Sequence, residues 1–422
     1  MKIVLAWEHV RRLSGAHSEI VTDLGTHLAA RGHDVTVICD SVTDPALFPS
    51  LRFIARRTHQ VGESHRLTLL ARWSRGVLRR EAHDVSLSFF PAIQGDLILP
   101  LTGLIGHRLR NENRALRSLA RNIAIQAHYN VLERRWHERT LTAAEARGGL
   151  LAFSPHMEQA LGGGEGIRIV PYAPLLRSNT SEREAERARV RGALGLSDSD
   201  RVYLWAAKHG LWHNRAGALT GFAQFVRDWQ KARDESGTAR IQVTAATHSR
   251  PILIVAGDSP WPAHVQACQS EIHDHMRMLG RTGDVQSLIM AADVIVNPAH
   301  HSLLGRLTYE SLALGRPVII SNQTGGVDLV RGVGGSAAPG RIVDPSDSGA
   351  IARALAEFLD AGRLREATVA AEAVGATLRY ESFVDAVEAA LIRAAEERRD
   401  RLAATRKESQ SYSERDFQPS SR

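Results

Sequence analysis

Only two cysteines, Cys39 and Cys268, stand in 422 residues, far apart in the chain. They can build neither a disulfide framework nor a zinc ligand set, and they read as the buried, reduced thiols of a cytoplasmic protein. No run of about 18 apolar residues occurs, so no membrane-spanning helix is expected. The apolar part of the opening "MKIVLAWEHVRR" is too short for a secretion signal, and no small-residue cleavage site follows. Aromatic residues make up 5% of the chain and do not alternate with basic ones, which argues against a surface for single-stranded nucleic acid. The G-x-G-x-x-G fingerprint is missing, which argues against a nicotinamide enzyme. His300–His301 and the His273/His275 pair do not face one another on a helix and have no carboxylate cluster beside them, so no metal site is read.

What is present is a soluble globular composition, 43% hydrophobic and 23% charged, long enough for two domains with separate cores. The formal charge of +7 suits an anionic partner, whether a phosphorylated substrate, acidic lipid or nucleic acid. "KIVLAW", the helix-period segment "SEIVTDLGTHLAARGHD" and "VTVICD" form a β-α-β unit, the signature of a parallel sheet covered by helices. "VSLSFF", "LILPL", "GLLAFSP" and "IRIVPY" add strands to the first half. "VYLWAA", "PILIVAG", "DVIVNP" and "PVIIS" make a second sheet, which is expected to end on the last of these. The polar stretch "LRSNTSEREAERARVRGALGLSDSDR" reads as the connection between the halves. The fold class is therefore α/β, with two doubly wound domains facing a cleft. An Arg-rich segment, 107–147, repeats apolar residues at helical spacing and reads either as a solvated face or as a surface for anionic lipid. "LGGGEG" at 161–166 follows a helix and reads as a turn, and the charged stretch from Glu396 on is expected to be disordered.

In such sheets ligands bind beyond the carboxyl ends of the strands, where loops enter helix N-termini. "HHSLLGRLTYESLALGRPVIIS", from His300 to Ser321, is such a place. A helix starting near Leu304 to Leu307 would aim its free N–H groups and its dipole at an anion. Gly305 would let a phosphate approach the backbone, Arg306 would add positive charge, and Glu310 would accept hydrogen bonds from ribose hydroxyls. The same residues also fit a plain strand–loop–helix connection with Glu310 solvated.

"SLLGRLTYESLALGRPVIISNQTGGVDLV" resembles the C-terminal signature of GT-B glycosyltransferases of family 4 (glycosyltransferase group 1). Glu310 falls on the second glutamate of that signature, which binds ribose, and Gly305 on its loop glycine. The amides around Leu304, Gly305, Arg306 and Leu307 fall where the donor diphosphate is met. Ser302 replaces the first glutamate, which contacts the donor sugar. "GLWHNRAG" resembles the family's Arg-Lys-Gly element. Arg215 and Gly217 fit it, Ala216 stands in the lysine's place, and Lys208 is the candidate to supply the missing charge. "SGAHSEIVTDLGTHLAARGHDVTVI" resembles the opening of the family, with Gly15 in the loop that nears the donor phosphates across the cleft. Gly280 and Arg281 are assigned to the base pocket, and His17, Thr102 and His107 to the acceptor side. A finer likeness, carried by "DLILPLTGLIGHRL" among other segments, is to the lipopolysaccharide-core glucosyltransferase branch, where an acidic residue is expected near Thr102.

The resemblance implies a GT-B fold of two Rossmann-like domains. Residues 1–177 form the acceptor side, 178–199 the linker and 200–370 the donor domain. Residues 371–395 form a helix packing back on the first domain, and 396–422 a disordered tail. It implies a retaining hexosyltransferase with no metal or other cofactor, using a nucleotide-diphosphate sugar, a UDP-sugar first. Arg215 and Glu310 are its catalytic candidates. The acceptor would be a glycan or glycolipid in cell-surface polysaccharide or lipopolysaccharide synthesis, met at the cytoplasmic face with peripheral contact to anionic membrane and no nucleic acid partner. With Ser302, Ala216 and Thr102 at positions where the family carries charge, the alternative is a catalytically degenerate member that binds nucleotide or glycan, or partners an active transferase.

Overall fold

The structure, a computed structural model, describes residues 1–10, 16–56, 63–90, 93–101, 149–163, 166–177, 180–207, 213–238, 249–257, 272–332 and 338–415. The expectations placed on the Arg-rich segment 107–147 and on Gly15, Thr102, His107 and Lys208 lie outside these residues.

The first domain opens with β1 (Lys2–Ala6), the short β2 (His9–Val10), α1 (Ala16–Ala30), β3 (Asp34–Cys39), the short β4 (Ser41–Val42) and β5 (Arg52–Ala55). It continues with α2 (Glu63–Arg80), β6 (Val85–Ser88), β7 (Leu97–Ile98), β8 (Leu150–Ala152), α3 (Pro155–Ala160) and β9 (Ile167–Ile169). Seven strands form one parallel sheet in the order β5-β3-β1-β6-β7-β8-β9. Ile3 to Ala6 and Val35 to Cys39 are buried without alternation, as expected of strands covered by helices on both faces. The strand order reverses between β1 and β6, which opens a crevice at their carboxyl ends.

After α4 (Thr180–Ala193), the second domain has β10 (Arg201–Ala206), α5 (Arg215–Thr238), β11 (Pro251–Ala256), β12 (Met276–Gly280), α6 (Val285–Ala291) and β13 (Val294–Asn297). Then come α7 (Arg306–Ala313), β14 (Val318–Ser321), α8 (Val327–Arg331), β15 (Gly340–Val343), α9 (Ser348–Glu357), α10 (Ala361–Gly375) and α11 (Tyr380–Arg415). Its parallel sheet runs β12-β11-β10-β13-β14-β15, so the order reverses between β10 and β13. The sheet does not end on "PVIIS", because β15 pairs beyond it. No described helix is long and apolar enough to cross a membrane.

The structure adds to one expectation and corrects another. The polar connection 178–199 contains a regular helix, α4, packed on the second domain. Arg187 donates to the carbonyls of Met290, Ala291 and Ala292 at the end of α6, and Arg187 and Arg191 both pair with Asp293. Arginine caps on another helix's C-terminus thus replace the apolar stripe that would have marked this helix in the sequence. The tail is the other case, since α11 continues to Arg415 through residues expected to be disordered. Phe383, Val384, Val387 and Leu391 seat its start in the first domain's core. Arg31 pairs with Glu381, Asp385 and Glu388, and further along Arg398 donates to the His83 carbonyl at 2.6 Å.

Candidate functional site

The loops leaving β10 and β13 meet where the second sheet reverses. His213 lies 3.3 Å from the Asn297 side-chain oxygen through its Nδ1, which joins the two loops directly. In the β13 loop the Ser302 amide donates to the Gln323 carbonyl at 3.2 Å, and the Gly325 amide donates to the Ser302 carbonyl at 2.7 Å. The loop after β13 is thereby zipped to the loop after β14. Gly305 has φ +64°, and a Cβ there would lie 2.0 Å from the Gly325 carbonyl oxygen. A Cβ on Gly325 would come within 2.3 Å of the Leu303 and Leu304 carbonyls. Both positions therefore require glycine for backbone against backbone, a reason the sequence alone does not supply.

Helix α7 starts at Arg306 directly from this junction, and no side chain caps it. The first domain meets α7 and the loop before it through apolar residues as well as through Arg306. Leu303, Leu304 and Tyr309 sit in the first domain's core cluster, and the Tyr309 ring meets Tyr172 edge-on at 5.1 Å. Glu310, on α7, is 4% exposed, which excludes the solvated reading. Its Oε1 accepts from Arg306 Nε at 3.0 Å and from Gln286 Nε2 at 3.2 Å. Arg306 Nη2 also lies 2.5 Å from Oε2 of Glu19 on α1, and Arg177 approaches the same oxygen at 3.5 Å. Burial alone would lower the pKa of Arg306, but the carboxylates of Glu310 and Glu19 outweigh it and hold the guanidinium pKa above its ordinary value. Gln286 Nε2 donates to the Leu175 carbonyl at 3.0 Å, while its Oε1 accepts from the Arg177 amide at 3.1 Å. One amide side chain thus joins Glu310 to the segment connecting the domains.

Arg215 opens α5. It is 3% exposed, its guanidinium carbon lies 6.0 Å from the Trp205 ring centre, and burial lowers its pKa. Asn214, at φ 51°, accepts from the Gly217 amide at 3.1 Å and donates to the Pro345 carbonyl at 2.6 Å. A Cβ on Gly217 would stand 2.5 Å from the Asn214 side chain, so this glycine makes room for the cap. Arg215 and Glu310 thus rise from the two elements that flank the switch point. Gly280 and exposed Arg281 lie at the end of edge strand β12, two strands away from β10. His17 is in the first turn of α1, 5.8 Å from Trp7, whose ring meets Phe90 at 6.1 Å. These three residues stand at the first sheet's own switch point.

Glu19 and Gln286 escaped the sequence reading. Glu19 looks like any helix-surface acid, and Gln286 is one amide in an apolar stretch, so neither carries a local signal. Among the described residues no group of three or more His, Cys, Asp or Glu side chains is placed to hold a metal ion.

Residues 221–361 match the family described as glycosyl transferases group 1. No curated protein sequence matches the chain. Among solved structures, the fold is similar to WaaG, a glycosyltransferase involved in lipopolysaccharide biosynthesis, with TM-score 0.69 and 16% identity over 92% of this chain and 99% of that one. It is similar to sucrose-phosphate synthase from Thermosynechococcus elongatus, with TM-score 0.62 and 16% identity over 96% and 99% of the two chains. Anabaena Alr3699/HepE in complex with UDP and glucose gives TM-score 0.59 and 14% identity over 93% and 100%. The chain has the GT-B fold, and residues 221–361 in its second domain match the glycosyl transferases group 1 family that the signature residues led us to expect.

Proposed function

We propose that the protein transfers a sugar from a nucleotide-diphosphate sugar, a UDP-sugar first, to a glycan or glycolipid acceptor. The observation that carries this reading is the uncapped start of α7 at the switch point, with buried Glu310 less than two turns in. Helix N–H groups and the dipole meet a diphosphate, and the carboxylate meets ribose hydroxyls. Alr3699/HepE, a structural relative, has been solved with UDP and with UDP-glucose, which supports a uridine donor.

Charge grows on the leaving diphosphate as the glycosidic bond breaks. A cation at Arg215 and the N-terminus of α7 then stabilise the transition state more than the ground state. Burial of Arg215 makes that interaction stronger than it would be in water. The reading extends to retention of configuration without a metal, and to an acceptor in cell-surface polysaccharide or lipopolysaccharide synthesis. Such an acceptor places the enzyme in the cytoplasm, with peripheral contact to anionic membrane. A second reading, a protein that binds nucleotide or glycan without turnover, draws on Ser302 and Ala216, which remove two charges the family carries. Donor hydrolysis and transfer with a panel of UDP-, GDP- and ADP-sugars separates the two readings. Measurable turnover, lost in Arg215→Ala, is expected. Donor binding with no turnover on any acceptor would favour the second reading.

A further inference from the structure

Helix α7 does two things at once. It carries Glu310, and its Tyr309, with Leu303 and Leu304 of the loop before it, is buried in the first domain's core. Arg306 lies between these roles, within bonding distance of Glu310 in its own helix and of Glu19 on α1 of the first domain. Glu19 takes a second cation, Arg177, from the connecting segment, and Gln286 ties that same segment to Glu310. Two carboxylates and two guanidinium groups form one chain of contacts running from α7 through α1 to Arg177, just before the linker. Arg306 and Glu310, both largely removed from water, do not move independently, because separating them leaves an unmatched buried charge, whereas Glu19 is partly and Arg177 mostly exposed. A planar guanidinium can serve two carboxylates in fixed directions, which an ammonium group cannot do.

We propose that Arg306 is a positioning residue that makes the grip on the donor and the contact between the domains one event, by holding Glu310 and the first domain's Glu19 together. The inference rests on the donor-site reading of Glu310. The angle between the domains then sets where the Glu310 carboxylate points, and a nucleotide whose ribose engages Glu310 tightens the domain contact in return. The coupling is reciprocal, since both groups act on the same guanidinium.

The test is a double-mutant cycle on nucleotide affinity in the full chain, read by calorimetry with UDP, and with GDP or ADP if one of those binds better. Glu19→Gln is expected to weaken binding about tenfold, although Glu19 belongs to the other domain. In an Arg306→Met background the same change is expected to alter affinity by less than about twofold, because the connection is already cut. A merely structural Arg306 would lower stability without this loss of additivity. If Arg306→Met does not fold, Arg306→Lys takes its place and should show the same non-additivity, since lysine keeps the charge but not the fork. Equal effects of Glu19→Gln in both backgrounds, or none in the wild type, would overturn the inference. If Glu310→Ala still abolishes binding in that case, the donor-site reading survives alone. If no nucleotide binds the folded wild type, both fall.

Discussion

Among the described residues, seven helix starts can be compared, and they fall into two kinds. Ser154 caps α3, Asn214 caps α5, Asp284 caps α6, Asp347 caps α9 and Asp360 caps α10, each accepting from a backbone amide in the first turn. By contrast α7 and α8 begin at Gly305 and Gly326, both in the left-handed region and both without a side-chain cap. A cap satisfies the first-turn amides and contributes about 1 kcal/mol. At these two starts no side chain takes a first-turn amide, although Thr308 N–H donates to the Gly305 carbonyl, Val327 N–H to Thr324 and Leu329 N–H to Gly326, and both starts lie on the two loops zipped together beside Glu310. Under the proposed function, the difference separates helices capped for stability from a junction that meets the donor.

Breaking the junction should have the largest effect. In Gly305→Ala the new Cβ meets a backbone oxygen that cannot step aside, and φ is unfavourable as well. A loss of about 3 kcal/mol or more in denaturant unfolding is expected, with nucleotide binding abolished. Turnover in Arg215→Ala should fall well beyond tenfold, a change of about 1.4 kcal/mol in the barrier, while unfolding changes less than in Gly305→Ala. Gly217→Ala is a sharper comparison, because the atoms nearest its Cβ all belong to the Asn214 side chain, which can rotate at the expense of its cap. About 1–2 kcal/mol should be lost there. Asp360→Ala, at a capped start, should cost about 1 kcal/mol and leave nucleotide affinity unchanged.

The smallest effect expected is on pH dependence at the α11 anchor. The bond from His33, with Arg31 beside it, holds the Glu388 pKa below its ordinary value of 4.5. Its stabilisation is therefore complete above that value and is lost as pH falls through the lower folded-state value. Hydrogen exchange should show the start of α11 opening in that acid window, and Glu388→Gln should remove the dependence.

The strands with both faces buried were legible because "IVLAW" and "VIV" are apolar without interruption and only Thr36 breaks "VTVIC". β15, "GRIV", was not, since Arg341 breaks the apolar run and pairs with Glu357 outside the sheet. The position of Gly305 was legible as a motif, but its reason was not, because the clashing oxygen belongs to Gly325 in another loop. Glu310 was read as a ligand group, whereas its partner Arg306 was read as a donor-facing cation. Its main attachments proved to be carboxylates, one of them far back in the chain at Glu19. Contacts between distant polar residues leave no periodicity, and the same holds for the arginine-bonded helix α4.

The central claim is that the uncapped start of α7 and Glu310 form a nucleotide site. Calorimetric titration of UDP into the wild type and into Glu310→Ala tests it most directly. Binding to the wild type, weakened at least tenfold in a variant that unfolds as the wild type does, is the result predicted, a difference of about 1.4 kcal/mol. Equal binding by both proteins would contradict it.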